Sequence, residues 1–186
     1  IMVAKGLVVP GDLVIGADSH TCTYGAIGAF STGVGSTELA AAMISGQLWF
    51  KVPETILIRI NGTLPPGVYS KDVILYLASQ IGADGATYQA IEFTGPIIDR
   101  LSVEERLTIS NMAVELGAKA GIIAPDEKTL TRVKQRTIKS FEPIYPDPDA
   151  VYLKELTYDC STLTPQVALP HRVDTVTSID SLGEVI

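Results

Sequence analysis

Apolar positions along the chain follow two different periods, and the switches between them mark out strands and helices. Leu13-Val14-Ile15-Gly16-Ala17 is a short apolar run behind the turn residues Pro10-Gly11-Asp12 and reads as a buried strand. Residues 54–60 carry Ile56, Ile58 and Ile60 in alternation before Asn61-Gly62, the pattern of a strand with one buried face. Val73, Ile74, Leu77, Ala78 and Ile81 keep helical spacing behind Ser70 and Asp72, which predicts a helix capped by Ser70. Ser36 is the expected cap of an earlier helix running towards Leu48, whose alanine-rich face would pack closely on a sheet. Ser102 and Glu105 form a capping box that opens a helix ending at Gly117. Residues 89–93 and 121–124 read as strands, and Asp126 caps a helix through Lys134. Pro143, Pro146 and Pro148 make residues 140–150 a loop, residues 151–159 fit an edge strand, and residues 164–171 read as extended connecting chain. Strands alternating with helices predict an α/β fold.

Composition narrows the class. With 46% hydrophobic and 19% charged residues, the chain of 186 can bury a real core. A net charge of −7 argues against a nucleic-acid partner, which needs clustered Lys and Arg. No apolar run approaches the roughly 20 residues that cross a bilayer, and residues 1–6 lack signal-peptide order. Only two cysteines are present, Cys22 and Cys160, so a disulfide scaffold is not expected and a cytoplasmic location is. Both read as small buried residues.

Asp18-Ser19-His20 is the densest cluster of reactive residue types, and it follows directly on the first strand, where open α/β sheets place ligands. A carboxylate can orient an imidazole, and an imidazole can pass a proton near neutral pH. The same residues also make a polar turn that caps backbone groups. A Ser-His-Asp relay is disfavoured, because adjacent residues of an extended run point to opposite faces. Asn111 and Glu115 lie four apart on a predicted helix, hence on one face, either solvated or turned into a site where Glu115 could meet His20. Gly33 and Gly35 are read as allowing tight backbone packing rather than as a dinucleotide loop, and His171 as a turn or surface residue. No Cys-x-x-Cys or His-x-x-x-His pair offers a self-contained metal site.

Taken in order, several segments resemble one family. Residues 11–26, with Asp18-Ser19-His20-Thr21 at their centre, are similar to the Asp-Ser-His-Thr region of the aconitase superfamily. Gly33-Val34-Gly35-Ser36-Thr37-Glu38, Lys51-Val52-Pro53-Glu54-Thr55 and Ser70-Lys71-Asp72-Val73-Ile74-Leu75 follow at matching spacing. Gly85-Ala86-Thr87-Tyr88, residues 110–118 and Pro165-Gln166-Val167-Ala168-Leu169-Pro170-His171 continue the match. Within the superfamily the chain resembles the large subunits of 3-isopropylmalate dehydratase (isopropylmalate isomerase) and homoaconitase. The resemblance implies a layered αβα fold, incomplete here, and a hydro-lyase that moves a hydroxyl between adjacent carbons. It implies a [4Fe–4S] cluster acting as Lewis acid in the full-length protein. It also implies a small subunit carrying a swivelling domain, in a heterodimer or heterotetramer, and a small 2-hydroxy di- or tricarboxylate substrate.

Carried over residue by residue, the resemblance makes Asp18, His20 and Glu115 catalytic, Ser19 substrate-binding and Asn111 a neighbour of the cluster. Asp18 would pair with a histidine upstream of Ile1, and His20 with Glu115 close to the substrate hydroxyl. The departures are equally specific. The family's cluster cysteines sit in a Gly-Ser-Cys-Thr-Asn segment and a later Cys-x-x-Cys, and neither Cys22 nor Cys160 matches them. The chain is therefore expected to be an internal piece that binds no cluster and has no activity alone. The expected partition is 1–52 in a first α/β domain, 53–162 in a second, and 163–186 leading into a third. Homoaconitase chemistry, and a cluster-free binding or assembly module, are the alternatives.

Overall fold

A computed structural model describes residues 1–183. Its centre is a four-stranded, all-parallel sheet in the order β5-β4-β3-β6, built from β3 (Thr55–Asn61), β4 (Ala90–Thr94), β5 (Ala120–Ile122) and β6 (Lys154–Asp159). A separate parallel pair, β1 (Leu13–Gly16) and β2 (Phe30–Gly33), precedes it. The fold is α/β, as the alternation of elements predicts. The expected edge strand is β6, which pairs only with β3.

The alternation in β3 has the expected consequence. Ile56, Ile58 and Ile60 are buried on one face and join Val73, Ile74, Leu77 and Ala78 of α2 (Ser70–Ile81) in the main core. Each Ile, Leu or Val side chain taken out of water contributes about 2 kcal/mol. The other face, with Leu57, Arg59, Glu92 and Ile122, walls a cavity of about 550 Å³ closed by Leu13, Phe30, Ile144 and Tyr152. The next helices are α3 (Pro96–Arg100), α4 (Val103–Asn111) and α5 (Glu127–Lys134).

Local signals placed most helix starts within a residue. Ser102 caps α4 and Glu105 returns to the Ser102 N–H at 2.8 Å, while Asp126 caps α5 by accepting from Thr129 N–H at 3.0 Å. Ser70 is not the cap of α2 but its first residue; Tyr69 occupies the cap position, and its N–H is taken by Asp72 at 2.8 Å. The same one-residue offset holds for α1 (Ser36–Ser45), where the Gly35 N–H is bound by Glu38.

Three expectations are corrected. The alanine-rich α1 does not pack closely on a sheet: none of its residues is buried, and an open groove separates Leu39, Ala42 and Met43 from Ile15 and Phe30. Two strands present too little surface to cover a helix face. Residues 164–171 are not merely connecting chain, because β7 (Gln166–Ala168) pairs antiparallel with β8 (Val176–Ser178). Finally, the helix opened by Ser102 is not one α-helix to Gly117: it tightens after Asn111 into a 3-10 turn, Met112–Leu116, before Gly117 ends it at φ +82°.

The largest fully buried side chain is charged. Arg106 of α4 is 1% exposed and donates to Ile98 O (3.2 Å), Asp99 O (3.3 Å), Thr129 Oγ1 (3.2 Å) and Asp126 Oδ2 (2.5 Å). A buried guanidinium persists only with partners of this number and kind. It ties α3, α4 and α5 together. Burial alone would push the Asp126 carboxyl up, but the Arg106 hydrogen bond and charge and the Thr129 N–H outweigh it and hold the group at about 2. Its folded-state value lies below the unfolded one, so its contribution is present near neutral pH and is lost as pH falls from about 4 towards 2. Arg106→Met should lower the unfolding free energy by about 3 kcal/mol, because Asp126 and two carbonyls lose their donor. Asp126→Asn should cost about 1.5 kcal/mol at pH 7, less because Asp126 is partly exposed, and should flatten the acid decline. Urea unfolding of both variants at pH 7 and pH 3 checks the two values and their pH dependence.

Candidate active site

The residues after β1 do not stay extended. Asp18 caps a nine-residue 3-10 helix, Ser19–Ile27, by accepting from the His20 N–H at 2.9 Å. Thr21 and Thr23 return their hydroxyls to Asp18 O and His20 O, each at 2.6 Å, which holds the tight turns closed. Small residues let this segment sit directly on α4 and β5. A Cβ on Gly25 would stand 2.0 Å from Gly121 O, and the Ile123 N–H donates to Gly25 O at 2.9 Å. Gly33 is needed for a similar reason: a Cβ there would approach Ser19 Cα to 2.7 Å. Tight backbone packing is thus what Gly33 provides.

Docking brings three of the five candidate residues, His20, Asn111 and Glu115, into contact. His20 Nδ1 lies 3.2 Å from the main-chain oxygen of Asn111, and His20 Nε2 lies 3.9 Å from Glu115 Oε1. Asn111 Nδ2 donates to Thr23 Oγ1 at 2.8 Å. Ser19 has an exposed side chain and lines, with Thr32, Gly35, Glu38 and Lys119, a neighbouring cleft of about 400 Å³. Asp18 remains exposed, with one oxygen engaged as a cap. No relay among Asp18, Ser19 and His20 forms, since Asp18 binds the backbone of His20 and not its ring. His171 is exposed and apart from this cluster.

The geometry differs from the expected one in an instructive way. On a continuous α-helix Asn111 and Glu115 would be offset by about 40°; in a 3-10 turn of three residues the offset grows to about 120°. They therefore meet His20 differently. Glu115 faces it with its carboxylate, and Asn111 with its backbone carbonyl, while the Asn111 side chain turns to Thr23. The His20–Glu115 pair is solvated: the side chains are 41% and 37% exposed. At 3.9 Å it is an ion-pair distance rather than a hydrogen bond, and in this setting it adds little stability.

The Asn111 carbonyl decides the state of the ring. A carbonyl oxygen only accepts, so the His20 Nδ1 that faces it carries a proton, and Nε2 is the nitrogen that faces Glu115. Cys22 Sγ approaches the same carbonyl at 3.4 Å. Burial pushes the Cys22 thiol up to about 11, so it is a neutral donor there. Burial and then the charge of Asp159 likewise raise Cys160 to about 11. Two features were missed from the sequence, the Asn111 main-chain oxygen and Thr23. The first carries no side-chain signal, and the second reads as one more small residue.

The comparisons with known proteins place this geometry in a family. The model of the aconitase family (aconitate hydratase) matches residues 1–185. The chain belongs to the aconitase family. Among aconitase-family relatives, it is 54% identical over 185 residues to the 3-isopropylmalate dehydratase large subunit 1 of Methanopyrus kandleri, covering 100% of this chain and 44% of that protein. It is 57% identical over 180 residues to the 3-isopropylmalate dehydratase large subunit of Moorella thermoacetica, covering 97% and 43%. It is 52% identical over 185 residues to the probable methanogen homoaconitase large subunit of Methanosarcina mazei, covering 100% and 46%. The chain thus spans a little under half the length of the curated relatives it matches.

Because the chain holds only two histidines, His20 and His171, its imidazole nitrogens can be read individually. In ¹⁵N spectra at high pH, neutral His20 should populate the Nδ1–H tautomer, and exposed His171 the solution mixture. A dominant Nε2–H form at His20 would contradict the contact with Asn111 O.

Proposed function

We propose that the chain is part of the large subunit of a hydro-lyase that isomerises 2-isopropylmalate to 3-isopropylmalate by dehydration and rehydration, a step of leucine biosynthesis. One observation carries this reading: His20 meets Glu115 beside the exposed Asp18-Ser19 turn, in a chain 54–57% identical to proteins named 3-isopropylmalate dehydratase large subunit.

Dehydration breaks a C–O bond on one carbon and a C–H bond on its neighbour. The departing hydroxyl must take up a proton to leave as water, and a base must receive the proton from carbon. His20 suits the first task, because its Nδ1 proton is held by Asn111 O and Nε2 is left to exchange. Glu115 faces that nitrogen at 3.9 Å. Ser19, exposed beside the first turn of α1, offers a hydroxyl to a substrate carboxylate. The free oxygen of Asp18 is available to orient a further group, the upstream histidine of the family pattern.

The [4Fe–4S] cluster that the family pattern calls for does not fit this chain's own residues. Among the described residues no group of three or more His, Cys, Asp or Glu side chains could hold a metal. Cys22 and Cys160 are buried thiols raised to about 11, far from the thiolates that ligate iron. We assign the cluster ligands to other parts of the full-length protein and the carbon base to a small-subunit partner. The partition at 1–52, 53–162 and 163–186 belongs to the same proposal, its last three positions lying outside the described residues. So does a cytoplasmic location; among the described residues no helix is long and apolar enough to cross a membrane.

The homoaconitase reading is favoured by the 52% identity to the Methanosarcina relative. Both substrates share a malate portion, so assay of the complete two-subunit protein on 2-isopropylmalate and homocitrate in parallel decides between them. The exposed apolar side chains of Met43, Ile44, Trp49 and Val52 fit an assembly role for the chain taken alone, in which it turns over neither substrate. Glu115→Gln and His20→Gln in the complete protein should each lower kcat by about 100-fold or more, the usual size of a general acid–base contribution. Wild-type kcat in both variants would remove His20 and Glu115 from the chemistry.

A further inference from the structure

Thr23 is outside the set of residues that the family pattern assigns, yet its hydroxyl joins two of them. Oγ1 donates to the His20 main-chain oxygen at 2.6 Å and lies 2.8 Å from Asn111 Nδ2. A carbonyl oxygen only accepts, so the one hydroxyl proton of Thr23 is committed to His20 O. The Asn111 atom that faces Thr23 must therefore be a donor. A flipped amide would set two acceptors against each other at hydrogen-bond distance. The amide is thus polarised in one direction. Oδ1 points away from Thr23 and has no hydrogen-bond partner among the described residues, on a side chain that is only partly buried. The Asn111 backbone oxygen, meanwhile, stays on His20.

We propose that Thr23 is a positioning residue whose hydroxyl fixes the Asn111 amide so that Oδ1 is left unpartnered as an acceptor for the hydroxyl of a bound 2-hydroxy acid. An acceptor-only oxygen suits a hydroxyl, which has a proton to give, and repels a carboxylate, which has none. Asn111 then selects the hydroxyl-bearing carbon while Ser19 serves a carboxylate. The identity of the ligand rests on the hydro-lyase reading; the orientation of Asn111 does not.

Two experiments separate these parts. The chain contains only two asparagines, Asn61 and Asn111, so ¹⁵N-asparagine labelling leaves two side-chain amides to observe. In wild type and Thr23→Ser, one Asn111 amide proton should be shifted downfield and slow to exchange; in Thr23→Val, which keeps the shape and loses the hydroxyl, both features should vanish. An Asn111 signal unchanged in Thr23→Val overturns the positioning role whatever the enzyme does. In the complete two-subunit protein, Thr23→Val should lower kcat/KM for 2-isopropylmalate about tenfold with a Tm within about 2 °C of wild type. Thr23→Ser should stay within about twofold. The unsaturated dehydration product has no hydroxyl, and its KM in the hydration direction should be unchanged in Thr23→Val. Equal weakening of saturated and unsaturated substrates, or a Thr23→Ser variant as impaired as Thr23→Val, would overturn the hydroxyl-recognition role. A wild-type protein inactive on both 2-isopropylmalate and homocitrate would sink the hydro-lyase reading, and with it the assigned ligand, while the labelling experiment still decides on Thr23.

Discussion

The close contact between the Ser19–Ile27 segment and the α4–β5 unit is the constraint on which the site depends. It exists because Gly25 brings its backbone against Gly121 O at a distance no side chain would allow, with the Ile123 N–H bonded to Gly25 O. Gly121 is itself hemmed in, since a Cβ there would meet Ala113 Cβ at 2.5 Å. Gly25 thus sets how closely the Ser19–Ile27 segment lies on β5, and Gly121 how closely β5 lies on the Met112–Leu116 turn; together they govern the reach of His20 to Asn111 and Glu115. Such a contact is stiff in a way that side-chain packing is not, because backbone cannot repack around an added atom.

On that frame, hydrogen-bond direction does more than charge. The His20–Glu115 pair is long and exposed, and its attraction is screened by solvent. By contrast, the Asn111 carbonyl faces both the His20 ring and the Cys22 thiol, and Thr23 links Asn111 to the His20 backbone. These groups are partly sheltered, and each has one permitted donor–acceptor sense. The protonation of an imidazole nitrogen follows from what a carbonyl can accept.

Arg106, the one buried cation among the described residues, serves stability. Arg106 satisfies its donors with two carbonyls, a threonine hydroxyl and Asp126, and so fixes α4 against α3 and α5. Holding α4 also holds Asn111 at its carboxyl end, so the stability of the clamp and the geometry of the site are linked through one short helix. The α1 helix stands apart from this arrangement: none of its residues is buried, and Met43 and Ile44 leave apolar surface exposed.

Features that rest on local periodicity and local hydrogen bonds were legible in the sequence. Ile56, Ile58 and Ile60 announced a one-sided strand because a strand exposes alternate faces. Ser102 with Glu105, and Asp126, announced helix starts because a cap satisfies donors within the next turn. The order of family motifs singled out the two segments, around His20 and around Asn111, that the fold brings into contact. Tertiary structure alone decided the rest. The tightening after Asn111, and the meeting of its carbonyl rather than its side chain with His20, emerged only in the fold, and a 3-10 turn leaves no residue pattern distinct from an α-helix over so few positions. The pairing of β7 with β8 rests on cross-strand bonds between short segments of weak periodicity. The burial of Arg106 and the amide orientation enforced by Thr23 depend on partners many residues away, and a contact of that kind has no signature until the chain is folded.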